Sequence, residues 1–167
     1  MDDRAVVERQ LGREPRAFVR VAVRCPFGAP AVTLQAPYDS AGDPFPTTFY
    51  LTCRYLVAAV ARLEAAGGIE RWSELAETDE ELSASLAAAT EDQRTLRHEL
   101  AGDTVGKENG ASLDLGIGGT ARPERLKCLH AHVAFALARP GYELGERIRA
   151  EVEPAWPERC CTLDGTG

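Results

Sequence analysis

No long apolar stretch runs through this sequence. The longest uninterrupted one, residues 55–61, has seven residues, whereas a membrane-spanning helix needs about 20. We therefore predict no membrane span and no membrane partner. The opening residues Met1-Asp2-Asp3 are acidic and lack the basic and then apolar leader of a secretory signal. These absences favour a cytoplasmic protein in a reducing compartment.

An excess of positive charge is also missing. The formal net charge is -7, and proteins that bind nucleic acid need a basic surface, so we expect no nucleic-acid partner. The charge is unevenly distributed, because residues 70–108 carry eleven acidic and four basic side chains. Residues 122–139 carry four basic side chains and one acidic side chain. The second stretch is therefore a candidate site for a small anionic ligand.

The hydrophobic pattern predicts an α+β fold. Period-two alternation over residues 16–24, followed by apolar or Thr-rich segments at 31–36 and 47–52, predicts a small three-stranded sheet. Helical spacing and end signals predict four or more helices packed with it. They cover about residues 4–11, 54–66, 69–75, 79–101, 123–139 and 142–152.

The chain has 167 residues, of which 44% are hydrophobic and 27% charged, as is usual for one globular domain. We therefore predict a single compact domain over residues 1–167. Six glycines lie within residues 101–121, which predicts a flexible or functional loop. The tail, residues 154–167, shows no regular period.

The predicted helix at 79–101 is long and amphipathic. Thr78-x-x-Glu81 resembles a capping box at its start. Its apolar stripe contains Leu82, Leu86, Ala89, Gln93, Leu96 and Leu100. Packing within the domain is the favoured interpretation, since fewer than three heptads are short for a coiled coil. A protein partner bound through this helix is the alternative.

The five cysteines include no CxxC pair, so the usual zinc-ribbon signature is absent. Their odd number and wide spacing argue against structural disulfides in a reducing compartment. Cys25 and Cys53 each follow a predicted strand, and strands one and three of a meander run in the same direction. Both thiols would then lie at one edge of the sheet.

The predicted helix at 123–139 supplies the other candidate metal ligands. On a regular helix Cys128 and His132 lie about 40° apart and converge, whereas Cys128 and His130 lie about 200° apart. We therefore predict a Cys₃His zinc site formed by Cys25, Cys53, Cys128 and one of His130 and His132, with helical geometry favouring His132 and with Cys160 as a spare ligand. His130 shares an apolar stripe with Val133, so a hydrogen-bonded core histidine is the alternative interpretation of that residue.

Two alternatives remain for these thiols. The cysteines could be small core residues that bind nothing. Alternatively, Cys128 beside Arg125 and Lys127 could be a nucleophile with His132 as its base.

Glycines before a predicted helix suggest a second kind of site. The helix is predicted to begin at Pro123, and the glycines that precede it are Gly116, Gly118 and Gly119. Backbone amides and a helix N-terminus bind anions, and the basic side chains available are Arg24, Arg122, Arg125 and Lys127. The spacing is not that of a P-loop. A plain flexible loop is the competing interpretation.

Three segments carry a resemblance to a known family. They are RCPFGAPAV at 24–32, PTTFYLTC at 46–53 and RLKCLH at 125–130. They resemble the signature stretches of the uncharacterised bacterial domain-of-unknown-function family 501, of the actinobacterial type, over about residues 4–152. That family often has Pro where this chain has Arg54, and its third stretch includes the position of His130 more plainly than that of His132.

The resemblance implies a cytoplasmic bacterial protein. Genes of this family commonly neighbour a septum formation initiator gene and an exopolyphosphatase gene, which implies a link to cell division. It implies no activity. Three functional hypotheses therefore stand: a protein with a structural or catalytic zinc site, an interaction protein of the division or envelope machinery, and a phosphate- or nucleotide-handling enzyme.

Overall fold

The computed structural model describes residues 2–162. Three strands and six α-helices occur in this part of the chain, which confirms the predicted α+β class. The strands are β1 (Phe18–Arg24), β2 (Pro30–Gln35) and β3 (Phe49–Leu51), and the helices are α1 (Asp3–Leu11), α2 (Arg54–Ala65), α3 (Gly68–Thr78), α4 (Glu80–Ala101), α5 (His130–Ala138) and α6 (Glu143–Ala150). Across residues 2–162, no helix is long and apolar enough to cross a membrane.

The sheet is the predicted antiparallel meander, in the order β1-β2-β3. Thr33 in the central strand pairs with Val21 on one side and with Tyr50 on the other. Every residue of β2 is buried, because α5 packs against the sheet and α1 contacts β1 and β2. Because β1 and β3 each pair antiparallel with β2, they run in the same direction.

Helix α5 lies at the centre of the core. Its residues 131–136 are all buried, as expected for a helix that is apolar on every face. The ring of Phe135 makes edge-to-face contacts with Phe49 of β3 and with Tyr142 ahead of α6, each at 5.5 Å between centroids. This aromatic chain joins the sheet to the C-terminal helix.

The start of α5 differs from the prediction. Residues 122–129 form turns, and the helix begins at His130 rather than at Pro123. Two backbone N–H groups that would lie within the predicted helix donate to side chains of other helices instead. Leu126 donates to the Ser73 hydroxyl at 3.3 Å and Leu129 to the Glu64 carboxylate at 2.8 Å. These contacts hold the segment in turns.

Helix α4 packs within the domain, as the favoured interpretation predicted. Leu82, Leu86, Ala89 and Gln93 are buried in the structure. The predicted capping box is wrong, because the N-cap is Asp79, whose carboxylate accepts from the N–H of Leu82 at 3.0 Å. Thr78 belongs to α3, and its hydroxyl donates to a carbonyl of that helix.

The glycine-rich segment after α4 contains short structure of its own. Two 3-10 helices, Ala111–Asp114 and Ile117–Gly119, lie within it. The first contacts α4, and the second contacts α4 and α5. The chain after α6 is irregular through residue 162, and residues 163–167 of the predicted tail lie outside the described residues.

Candidate functional site

Cys25 and Cys53 leave the sheet at the same edge, in line with the predicted meander. Because β2 lies between their strands, two strand spacings, about 10 Å, separate the two backbones. Ligand atoms around one tetrahedral zinc ion lie within about 4 Å of each other. The thiol nearest to Cys53 is that of Cys161, with 3.6 Å between the sulfur atoms.

Cys128 lies in the turn that precedes α5. Burial is the largest influence on its thiol and raises the pKa of Cys128, and the Glu64 carboxylate raises it further. The N–H groups of Ala131 and His130, and the Lys127 ammonium, act in the opposite direction without cancelling the rise. A thiol with a raised pKa is protonated near neutral pH, which weakens the hypothesis of a Cys128 nucleophile.

His130 is engaged through both ring nitrogens. Nδ1 lies 3.0 Å from the carboxylate of Glu64, and Nε2 lies 3.1 Å from the carbonyl oxygen of Val57. Both partners are hydrogen-bond acceptors, so each ring nitrogen faces an acceptor. The second oxygen of Glu64 accepts from the N–H of Leu129. His130 therefore fixes the start of α5 to α2 and presents no free nitrogen to a metal.

His132 is buried completely and faces α6. Its Nδ1 lies 2.7 Å from the hydroxyl of Tyr142. Burial lowers the pKa of His132 to about 3, so the ring is neutral at physiological pH. The predicted convergence of Cys128 and His132 required a helix through both residues, and α5 begins only at His130.

The predicted zinc ligands are therefore not assembled into one centre. Within residues 2–162, no group of three or more His, Cys, Asp and Glu side chains is placed to hold a metal ion. The sheet keeps Cys25 and Cys53 apart, and the turn before α5 removes the helical relation on which the imidazole ligand depended.

A pocket of about 320 Å³ does open beside Cys128. Its lining comes from the end of the loop before β3, from β3 itself, from α2 and from the start of α5: Thr47, Phe49, Tyr50, Leu51, Val57, Cys128, His130 and Ala131. Two of the three segments that carry the family resemblance therefore meet at one cavity. The thiol and the engaged imidazole lie in its wall.

The predicted anion cradle lacks the helix on which it depended. The N–H of Gly116 donates to the carbonyl of Thr120, and the N–H of Gly119 donates to the carbonyl of Gly116. Both amides are therefore already hydrogen-bonded within the turn. No helix begins at Pro123. Gly118 lies against Cys128 instead, because a Cβ built on it would lie 3.6 Å from that sulfur.

The basic side chains of the predicted cradle mostly have acidic neighbours. Arg24 pairs with Asp3 of α1 at 2.7 Å, and Arg122 pairs with Glu124 at 3.4 Å. The guanidinium of Arg125 lies 3.9 Å from the carboxylate of Glu77 in α3. Lys127 is exposed.

The groove between α3 and α4, here called the α3–α4 groove, is the second cavity of interest, with a volume of about 450 Å³. The turn at residues 123–124 closes one side. Its lining residues are Ala76, Glu77, Ser83, Leu86, Ala87, Thr90, Glu91, Arg94, Pro123 and Glu124. The apolar ones form the floor, while Glu77, Glu91 and Glu124 are exposed at the rim, where each lies beside an arginine: Arg125, Arg94 and Arg122.

One basic side chain on α4 is withdrawn into the interior. Arg97 is fully buried, and its Nη1 donates to the carbonyl of Phe45 at 3.0 Å and approaches the Thr48 hydroxyl at 3.4 Å. Burial lowers the pKa of this guanidinium. Its charge therefore does little to neutralise the acidic surface of α4.

Comparison with known proteins supplies a family. No curated protein and no solved structure matches the chain. The sequence profile described as "Protein of unknown function (DUF501)" matches residues 21–149, which is most of the chain and includes all three segments of the resemblance. The chain therefore belongs to the DUF501 family.

Proposed function

We propose that this chain is a protein-interaction module, and that the α3–α4 groove receives an apolar side chain from a partner segment that also carries Lys or Arg. The observation that carries the proposal is the groove itself. Its volume of about 450 Å³ lies within the range of about 300–1,000 Å³ typical of binding pockets. An apolar floor inside a polar rim is the arrangement found at protein interfaces.

The charge of the surrounding surface favours a basic partner. Residues 68–101, which form α3 and α4, contain nine acidic and three basic side chains. One of the three, Arg97, is buried. Complementary charge increases the rate at which such a partner associates and helps to select it.

The extent of the acidic surface favours a polypeptide over a small molecule. Glu70, Glu74, Glu80 and Glu81 are exposed on the same two helices but do not line the groove. A small ligand would contact the groove alone. A basic polypeptide segment would contact the groove and the acidic side chains around it.

The test uses two exposed alanines of α4 as matched sites. Ala87 lines the groove, whereas Ala84, three residues earlier, does not. Ala87→Arg and Ala84→Arg change the charge of the protein equally and place the same side chain on the same helix. The probe is an amphipathic dodecapeptide with leucine at every third or fourth position and lysine between, and the control peptide replaces each lysine by glutamate.

Binding is followed by amide chemical shifts of the labelled full chain. We expect the lysine peptide to shift residues 76–94 and 123–124 in the starting protein and in Ala84→Arg, and to lose this effect in Ala87→Arg. The glutamate peptide should cause no shift. Equal binding by both variants would mean that the peptide associates with the acidic surface at large, and the absence of any shift would also refute the proposal.

A further inference from the structure

Two thiols far apart in the sequence lie in contact where the C-terminal segment crosses the end of β3. The sulfur atoms of Cys53 and Cys161 are 3.6 Å apart, although 108 positions separate the residues. A disulfide has a sulfur–sulfur distance of about 2.05 Å. An approach of about 1.5 Å would bring the two sulfurs to bonding distance.

Cys53 is held firmly by the backbone around it. It lies at the N-cap position of α2, its N–H donates to the carbonyl of Ala31 in β2, and its carbonyl accepts from the N–H of Val57 in α2. The residue is buried, with 2% of its surface exposed. The movement required for bonding therefore belongs to the other partner.

Cys161 lies on a segment that no helix or strand constrains. It is half-buried, so an oxidant in solution reaches it more readily than it reaches Cys53. Polar contacts position the segment nearby, since Tyr55 donates to the carbonyl of Pro154 and Arg149 donates to the carbonyl of Ala155. The segment is thus held beside the buried thiol but is free of regular structure.

We propose that Cys53 and Cys161 form a reversible disulfide, with hydrogen peroxide as the oxidant, which ties the C-terminal segment to the end of β3. The Cys161 thiolate attacks one peroxide oxygen, giving a sulfenic acid at Cys161 and, after proton transfer, one water. The Cys53 sulfur then attacks the Cys161 sulfur, the S–S bond forms, and the sulfenic oxygen leaves as a second water. The two thiols lose two electrons and two protons in total, and the peroxide takes up both.

The chemistry of Cys53 assigns it the second step rather than the first. Burial, the largest cause, and the neighbouring Cys161 raise the pKa of Cys53 to about 12, against the effect of the Leu56 and Tyr55 backbone amides. A protonated buried thiol reacts slowly with peroxide. It becomes useful once the adjacent sulfur is sulfenylated, because the attack is then intramolecular.

The test treats the full chain with an equimolar amount of hydrogen peroxide and then counts free thiols after unfolding. We expect the count to fall from five to three, and peptide mapping to find Cys53 linked to Cys161 with a mass loss of about 2 Da. Dithiothreitol should restore all five. The disulfide closes a loop of about 100 residues in the unfolded chain, so Tm should rise by about 5 °C or more on oxidation.

Two variants make the assignment specific. Cys161→Ser, in the irregular segment, should fold normally and form no disulfide, and its Tm should not respond to peroxide. Cys160→Ser removes the adjacent thiol and should still form the Cys53–Cys161 bond. A different pairing, a sulfinic acid at Cys161 without a disulfide, or an unchanged thiol count would each overturn the proposal.

Discussion

Acidification should destabilise this protein through one buried side chain, His132. The ring is enclosed completely, and burial lowers its pKa from 6.5 to about 3. The unfolded chain therefore binds a proton at this residue as the pH falls below about 6.5, while the folded chain does not until about pH 3. The stability is fully present above pH 6.5 and is lost progressively toward pH 3.

The size of the effect follows from the two pKa values. A difference of one between the folded-state and unfolded-state pKa corresponds to about 1.4 kcal/mol, so the complete loss, reached near pH 3, is about 5 kcal/mol. Between pH 7.5 and pH 5.0 the loss is about 2 kcal/mol. This window is the useful one, because most carboxylates stay ionised throughout it.

The assay is urea unfolding at pH 7.5 and pH 5.0. In His132→Asn, the side-chain amide replaces the ring near the position of Nδ1. It supplies a hydrogen-bond partner for the Tyr142 hydroxyl and cannot titrate. The smaller side chain leaves a cavity that costs the variant a similar amount of stability at both pH values. Between pH 7.5 and pH 5.0 the variant should therefore lose about 2 kcal/mol less of its free energy of unfolding than the starting protein loses. His98→Asn, at a half-exposed imidazole on α4, should retain the full loss. Equal pH dependence in His132→Asn and the starting protein would refute the reasoning.

Three further substitutions test local packing by urea unfolding at pH 7.5. Gly145→Ala places a Cβ 2.7 Å from a backbone carbonyl of α5, so we expect a loss of about 1–3 kcal/mol, and an unchanged midpoint would show that α5 and α6 are less closely packed. Glu64→Gln removes the charged partner of His130 and should cost about 1–2 kcal/mol, whereas a neutral result would show that the pair does not fix the start of α5. Asp79→Ala should cost about 1 kcal/mol while Thr78→Ala stays within about 0.5 kcal/mol, and the reverse order would restore the capping box.

The fold was predictable where local patterns determine it. Period-two alternation predicted β1, and the apolar and Thr-rich segments that follow predicted β2 and β3. The side chain of Asp2 caps α1, and Gly12 ends that helix with a left-handed backbone, as the end signals predict. The helix predicted from Pro123 was wrong at its start, because the backbone of Leu126 and Leu129 binds side chains more than 50 positions earlier.

The site residues were harder to predict for the same reason. His130 was predicted as a candidate metal ligand as well as a hydrogen-bonded core residue, but its partner Glu64 belongs to a helix 66 positions earlier in the chain, and no local spacing connects them. Arg97 resembles a solvated residue of a charged helix, yet its acceptors, Phe45 and Thr48, come from the loop before β3. Helical spacing of the thiols could not reveal that Cys161 contacts Cys53 in the folded chain.

The two proposals concern different parts of the molecule, and one prediction separates them. The C-terminal segment is linked to α3 by the ion pair between Glu151 and Arg71, 2.7 Å long, but Arg71 does not line the α3–α4 groove. Cys53 is anchored to β2 and α2, so a disulfide to Cys161 would move the irregular segment rather than either groove helix. A coupling between two sites requires an element with two alternative arrangements, and α3 and α4 are regular helices packed against each other.

We therefore expect the peroxide-treated protein to bind the lysine peptide with the affinity of the reduced protein, measured by the same amide shifts. A several-fold difference that dithiothreitol reverses would contradict this independence and would identify the thiol pair as a regulator of the groove.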